Sequence, residues 1–169
     1  MKLLVCVVLG ALTLSCSDWL KVSSEDRIME NDLFRFDGYQ FRRYYSYFRM
    51  LDTSDKWYFR NVELDARGHL FVSTNKGLFV YDKITDSFKR MFKPNTMNIK
   101  TDSRGNLWLI SASLGIFDVE KKTFFGMESE KGLLYDAVTL CADEDELITG
   151  TSQGEIYRFD YDKMFFEQI

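Results

Sequence analysis

The stretch D-S-R-G-N-L-W-L-I-S, residues 102 to 111, decides the fold. Glycine at 105 follows Arg104 where a tight hairpin needs positive φ, and the aspartate before it can accept backbone hydrogen bonds. The same layout opens an earlier copy, D-A-R-G-H-L-F-V-S-T-N-K-G-L-F-V-Y-D from Asp65, and a later one, D-E-D-E-L-I-T-G-T-S-Q-G-E-I-Y-R-F-D from Asp143, with a shortened turn. The second glycines, Gly77, Gly115 and Gly154, are 38 and 39 residues apart. Leu70 and Val72 alternate with Phe71 and Ser73, which is a strand period and not a helical one. Each copy reads as four short strands, 62–65, 69–74, 78–82 and 87–92 in the first. Four-stranded units recurring at about 40 residues are propeller blades, so the expected fold is all-β with three propeller-like blades.

At Gly105, Asn106, Leu107 and Trp108 the middle copy resembles the two-component regulator propeller repeat, whose pattern is an acidic residue, Gly-Asn-Leu-Trp, a small residue, then Gly-Leu. His69 stands in place of Asn106 and Phe71 in place of Trp108 in the first copy, and the third keeps neither the Gly nor the Trp. The resemblance covers about 110 residues and implies a relative of the periplasmic sensor portions of hybrid histidine kinases that respond to polysaccharide fragments. Three blades are fewer than the roughly four to eight that close a ring. An open stack leaves end sheets without a neighbour. Residues 35 to 56 could cover it, the chain could self-associate, for example as a cyclic dimer completing a six-bladed ring, or the chain is a remnant that folds poorly.

Upstream, residues 3 to 14 form an apolar run behind Lys2, the n-region and h-region of a secretory signal. At 12 residues the run is too short to span a bilayer, which takes roughly 20. Ser15 followed by Cys16 resembles a bacterial lipoprotein signal, cut before a lipidated cysteine, with Thr13 between Leu12 and Leu14 where the pattern has leucine. Cys16, Ser17, Asp18, Trp19 and Leu20, then Asp26, Arg27, Ile28, Asp32, Leu33 and Phe34, resemble the mature N-terminus of SusD-like outer-membrane lipoproteins of Bacteroidetes, which bind glycans beside a TonB-dependent porter. That resemblance covers about the first forty residues. It implies an address at the envelope and not the family's glycan site, which lies in helical repeats for which this chain has no room.

Eight aromatics lie between Phe34 and Phe48: Phe34, Phe36, Tyr39, Phe41, Tyr44, Tyr45, Tyr47 and Phe48. Such rings could stack on sugars. Phe41, Tyr44, Tyr45 and Phe48 also fit one face of a packing helix, with Arg42, Arg43, Ser46 and Arg49 facing away. The candidate ligand contacts are therefore Tyr39, Tyr44, Tyr45, Tyr47, Trp57 and Trp108. Trp108 has a second reading as core, because its counterparts Phe71 and Ile148 are plain hydrophobes.

Other chemistries find little support. Lys plus Arg number 22 against 26 Asp plus Glu, a net charge of −4 that argues against a nucleic-acid partner. With Cys6 removed and Cys16 lipidated, Cys141 is the one remaining thiol, so no intrachain disulfide is expected; flanked by Leu140 and Ala142, it reads as a small core residue. One histidine and one thiol cannot make a zinc site, and there is no calcium loop and no phosphate-binding loop. G-T-S-Q-G at 150 to 154 matches a nucleophile elbow in letters only, because Ser152 falls in a strand-to-strand turn and His69, the one histidine, precedes it. The acidic pairs Glu63 with Asp65, Asp143 with Asp145 and Asp160 with Asp162 could serve as acid and base, or as turn residues.

The sequence thus divides into a lipoprotein signal (1–15), a SusD-like segment with a short helix (16–56) and a propeller-like domain (57–169). The expectation is a non-enzymatic, cofactor-free lipoprotein anchored in the outer membrane through lipid on Cys16, binding or sensing polysaccharide or oligosaccharide. The alternative is an interaction module, or a remnant fusion, that completes a propeller with a second copy or with a propeller-containing partner and has no ligand of its own.

Overall fold

The computed structural model describes residues 4–7, 32–36, 39–51, 53, 56–143 and 146–169. Cys16, the SusD-like residues 17 to 28 and Asp145 lie outside the described residues. The chain divides into two compact units, residues 1–59 and 60–169.

In the first unit, β1 (Leu4–Val7), β2 (Leu33–Phe36) and β3 (Phe41–Arg43) form an antiparallel sheet in that order, followed by α1 (Tyr45–Leu51). The helix starts later than the aromatic spacing predicts. Phe41 pairs with Phe36 across the β2–β3 ladder, their rings stacked 4.7 Å apart, so the backbone of 41–43 finds its hydrogen bonds in a sheet. Within this unit Phe48 is fully buried, 5.1 Å from the Trp57 ring and 4.9 Å from the Phe59 ring.

The second unit is a stack of three antiparallel meanders. The first sheet runs β4 (Phe59–Leu64), β5 (Leu70–Thr74), β6 (Gly77–Asp82) and β7 (Ser87–Phe92). In the second, β8 (Asn98–Thr101), β9 (Leu107–Ile110), β10 (Leu114–Asp118) and β11 (Thr123–Gly126) are likewise ordered as in the chain. The third sheet has six strands where four were expected. Beyond β14 (Ala137–Ala142), β15 (Leu147–Thr151), β16 (Ile156–Asp160) and β17 (Phe165–Gln168), its outer edge carries β12 (Glu128–Ser129) and β13 (Gly132–Leu133). The chain leaving the second sheet lays Ser129 parallel to Phe166, so the connection covers an edge that would otherwise have unpaired backbone groups. The chain is nearly all-β and its sheets are propeller-like blades.

Leu107-Trp108-Leu109-Ile110 explains why the stack holds. All four residues are buried, because the second sheet is covered on both faces. Leu107 and Leu109 face the first sheet in a layer with Phe71, Leu78, Ile99 and Phe117. Trp108 and Ile110 face the third in a layer with Leu147, Tyr157, Phe159 and Phe166. Polar links join the first two sheets along their first strands: Thr101 donates to Glu63 through both N (2.9 Å) and Oγ1 (2.5 Å), and Asn61 Nδ2 donates to Asn98 Oδ1 at 2.8 Å.

The outer face of the third sheet is different. The register sets Cys141 against Ile148, Ile148 against Arg158 and Arg158 against Glu167. Cys141 is exposed on this face, not in the core as its apolar neighbours suggested, because Leu140 and Ala142 turn to the opposite side. Ile148 and Arg158 stand where Trp108 and Ile116 stand one sheet earlier.

Candidate ligand cleft between the first two sheets

The first two repeats build the turn between their first two strands in the same way. Asp65 N donates to His69 O at 3.0 Å and Asp102 N to Asn106 O at 3.1 Å, while Gly68 and Gly105 close the turns at φ 80° and 83°. Asp65 Oδ1 accepts from the backbone N of Arg67 (3.0 Å) and His69 (2.7 Å); Asp102 Oδ1 accepts from Arg104 (3.0 Å) and Asn106 (2.8 Å). A second recurring turn follows the third strand, where Asp82, Asp118 and Asp160 each cap backbone N–H groups, and Asp86, Lys122 and Met164 take positive φ. These caps hold the three carboxyls below the usual aspartate range.

The two kinds of turn meet at each junction between sheets, and the two junctions differ. Between the second and third sheets, Asp102 Oδ2 accepts from Asn106 Nδ2 (2.8 Å), Trp108 Nε1 (2.8 Å) and the Tyr161 hydroxyl (3.0 Å). The Arg104 guanidinium lies 3.8 Å above the Tyr161 ring. Burial alone would raise the Asp102 carboxyl, but donation from Trp108, Asn106 and Tyr161 outweighs it and holds the group below its ordinary range. Burial, with the Asp102 charge beside it, pushes the Tyr161 phenol far above its ordinary value.

Between the first and second sheets the equivalent positions hold Asp65, Arg67, His69, Phe71 and Val119. Phenylalanine has no N–H and valine has neither ring nor hydroxyl. Asp65 Oδ2 therefore takes one hydrogen bond, from His69 Nδ1 at 2.8 Å. Arg67 reaches across to Glu120 at 3.7 Å, both side chains well exposed. What remains is a cleft of about 470 Å³, with Asp65, Arg67 and His69 on one side, Asp118, Val119 and Glu120 on the other, and Leu107 and Phe117 as apolar lining.

The residues singled out in the sequence do not gather here. Trp108 is fully buried with its N–H engaged, against Phe159 at 4.6 Å, so it offers no face to a ligand. Trp57 and Tyr44 are also buried, for want of any other place for large apolar rings in a small unit. Tyr39 is almost wholly exposed, Tyr47 is half-buried with an edge contact to Phe48, and Tyr45 begins α1. Ser152 sits in the β15–β16 turn, its N donating to Asp136 O, away from any histidine. Asp65 and Asp160 cap turns, and Glu63 bridges to Thr101. Among the described residues, no group of three or more His, Cys, Asp or Glu is placed to hold a metal ion, and no helix is long and apolar enough to cross a membrane. The cleft was missed because it follows from what Val119 and Phe71 lack. The one signal was the replacement of Asn106 by His69, and of Trp108 by Phe71, between repeats.

No family model matches the chain, and no curated protein matches it either. Solved structures do. The extracellular domain of the hybrid two-component system BT3049 from B. thetaiotaomicron matches with a TM-score of 0.60 at 16% identity, over 82% of this chain and 22% of that one. The extracellular domain of the one-component system BT4673 from the same organism matches at 0.54 and 15% identity, over 81% and 22%. A structure described as YCF48 bound to D1 peptide matches at 0.53 and 13% identity, over 83% of this chain and 48% of that one. At these identities the likeness establishes the fold, that of propeller-type domains. The chain spans about a fifth of the two bacterial domains it matches and just under half of the third.

Proposed function

We propose that the protein is an exported, non-enzymatic lipoprotein that binds or senses glycans at the bacterial envelope. The observation that carries this reading is a propeller-like stack, of the fold seen in extracellular sensor domains of Bacteroides, with one junction left open as a polar-rimmed cleft. Its volume lies within the range of about 300–1,000 Å³ usual for small-molecule pockets. The leader adds the address: cleavage before Cys16 removes β1 with the signal, and lipid on Cys16 anchors the remaining chain in the outer membrane, in keeping with the SusD-like residues that follow. Retention of the protein on an array of polysaccharides tests the ligand class, and a failure to retain on any of them would sink it. Incorporation of labelled palmitate, abolished in Cys16→Ala, tests the anchor.

Completion of a ring by a second copy or by a longer propeller protein is the weaker reading. A blade packs on its neighbour through large apolar side chains, as Trp108 does, and the outer face of the third sheet mixes Ile148 and Ile156 with Arg158, Glu167 and an exposed thiol. Peptide binding, which the description of the YCF48 structure names for that protein, is the competing ligand class.

A further inference from the structure

The molecule contains its own picture of an occupied cleft. At the junction of the second and third sheets the space between the two turns is filled by Tyr161, which donates its hydroxyl to Asp102 Oδ2 and lies under Arg104. One junction earlier the carboxylate and the arginine are kept as Asp65 and Arg67, while the residue after the turn aspartate is Val119 and the space is open. Asp65 Oδ2 lacks both the phenol and the indole donor that Asp102 enjoys.

We infer that this cleft is the saccharide site, and that a sugar residue occupies the place of the missing tyrosine, one hydroxyl donating to Asp65 Oδ2 and the ring lying on Val119 beneath Arg67. The inference rests on the glycan-binding reading above and gives it an address. A carboxylate with spare acceptor capacity suits a hydroxyl donor, since a hydrogen bond to a charged group is roughly twice as strong as a neutral one. Donors and acceptors line both sides of the opening: Arg67, His69 and Asn106 with Asp65, Asp118 and Glu120. That many-sided polarity fits a ligand with several hydroxyls better than a phenol with one. His69 completes the arrangement, because Nδ1 is held by Asp65 and Nε2 is the ring nitrogen left for a ligand.

The chain has one histidine, so its imidazole gives a single reporter inside the cleft. The experiment titrates the full-length chain with neutral hexasaccharides of glucose, galactose, mannose and xylose, and with N-acetyl-tyrosinamide, following the His69 ring resonances by NMR and affinity by calorimetry. The expected result is a saturable shift with at least one hexasaccharide and none with the tyrosine amide. Val119→Tyr, which restores the ring found at the next junction, and Asp65→Asn, which removes the charge, should each weaken binding about tenfold or more. Two variants guard against a folding defect in either, and unchanged circular dichroism qualifies each. A hexasaccharide that binds without moving His69, and equally to both variants, overturns the site while the glycan reading stands. Absence of binding by every hexasaccharide overturns both, and a His69 shift with the tyrosine amide alone overturns the saccharide class.

Discussion

Asp102 shows how much one carboxylate can organise. It closes its own turn through Oδ1 and, through Oδ2, ties Trp108, Asn106 and Tyr161 into a clip between two sheets. Asp102→Ala strands the buried Trp108 N–H and the Tyr161 hydroxyl and is expected to cost about 3 kcal/mol in urea unfolding, against about 1 kcal/mol for Asp65→Ala, whose carboxylate serves its turn alone. The pH dependence follows from the sign of the shift. The folded carboxyl titrates below its unfolded value of about 3.9, so its stabilisation is present above that pH and is lost as pH falls through the lower folded value. Asp102→Asn should flatten this acid limb, measured as stability against pH below about 5. At the same scale, Cys141 in a chain with Cys6 and Cys16 replaced by serine should react with a maleimide under native conditions nearly as fast as in denaturant. Protection of that thiol would contradict the outward face assigned to it.

Among the elements, glycines that look alike in the sequence do different work. Their spacing of 38 and 39 residues suggests one repeated position. The register separates them: Val80 pairs with Phe71 and Ile116 with Trp108, so Gly115 stands where Phe79 does, and Ser113 where Gly77 does. A Cβ on Gly77 would lie 2.0 Å from Phe92 O, and one on Gly115 2.1 Å from Phe125 O, both unyielding backbone atoms. Gly105 instead needs only its positive φ, with nothing within 4 Å. Gly105→Ala should therefore cost about 1–2 kcal/mol. Gly77→Ala and Gly115→Ala should cost more, about 3 kcal/mol or beyond, since sheet backbone must move. A denaturant series that reversed this order would refute the register-based account.

For the whole molecule, the third sheet is the end of the stack to consider. Where Trp108 and Ile116 join the second sheet to the third, Ile148 and Arg158 face outward beside Glu167. Arg158 and Glu167 charge this face, while Ile148 and the half-exposed Ile156, which stands where Leu114 packs one sheet earlier, make it a mixed surface and not a wholly polar one. Because an apolar partner would have to bury Arg158 and Glu167, the protein is expected to scatter light as a monomer at micromolar concentration, and a stable cyclic dimer would show that Ile148 and Ile156 outweigh those charges.

The repeat, the strand period and the two turn glycines Gly68 and Gly105 were legible in the residues, because local turn chemistry and a two-residue period depend only on neighbours in the chain. The late start of the aromatic helix was not, since Phe41 chooses between helix and strand according to whether Phe36 is there to pair with it. The two edge strands β12 and β13 were likewise invisible, as they exist only against β17. The cleft belongs to the same group: Asp65 and Val119 are 54 positions apart, and neither suggests an opening by itself. The chain's own letters determined that there would be three meanders and where their turns fall. Which junction closes on a tyrosine and which stays open was decided by the packing of one sheet on the next, because a cavity is set by side chains that meet across distant segments.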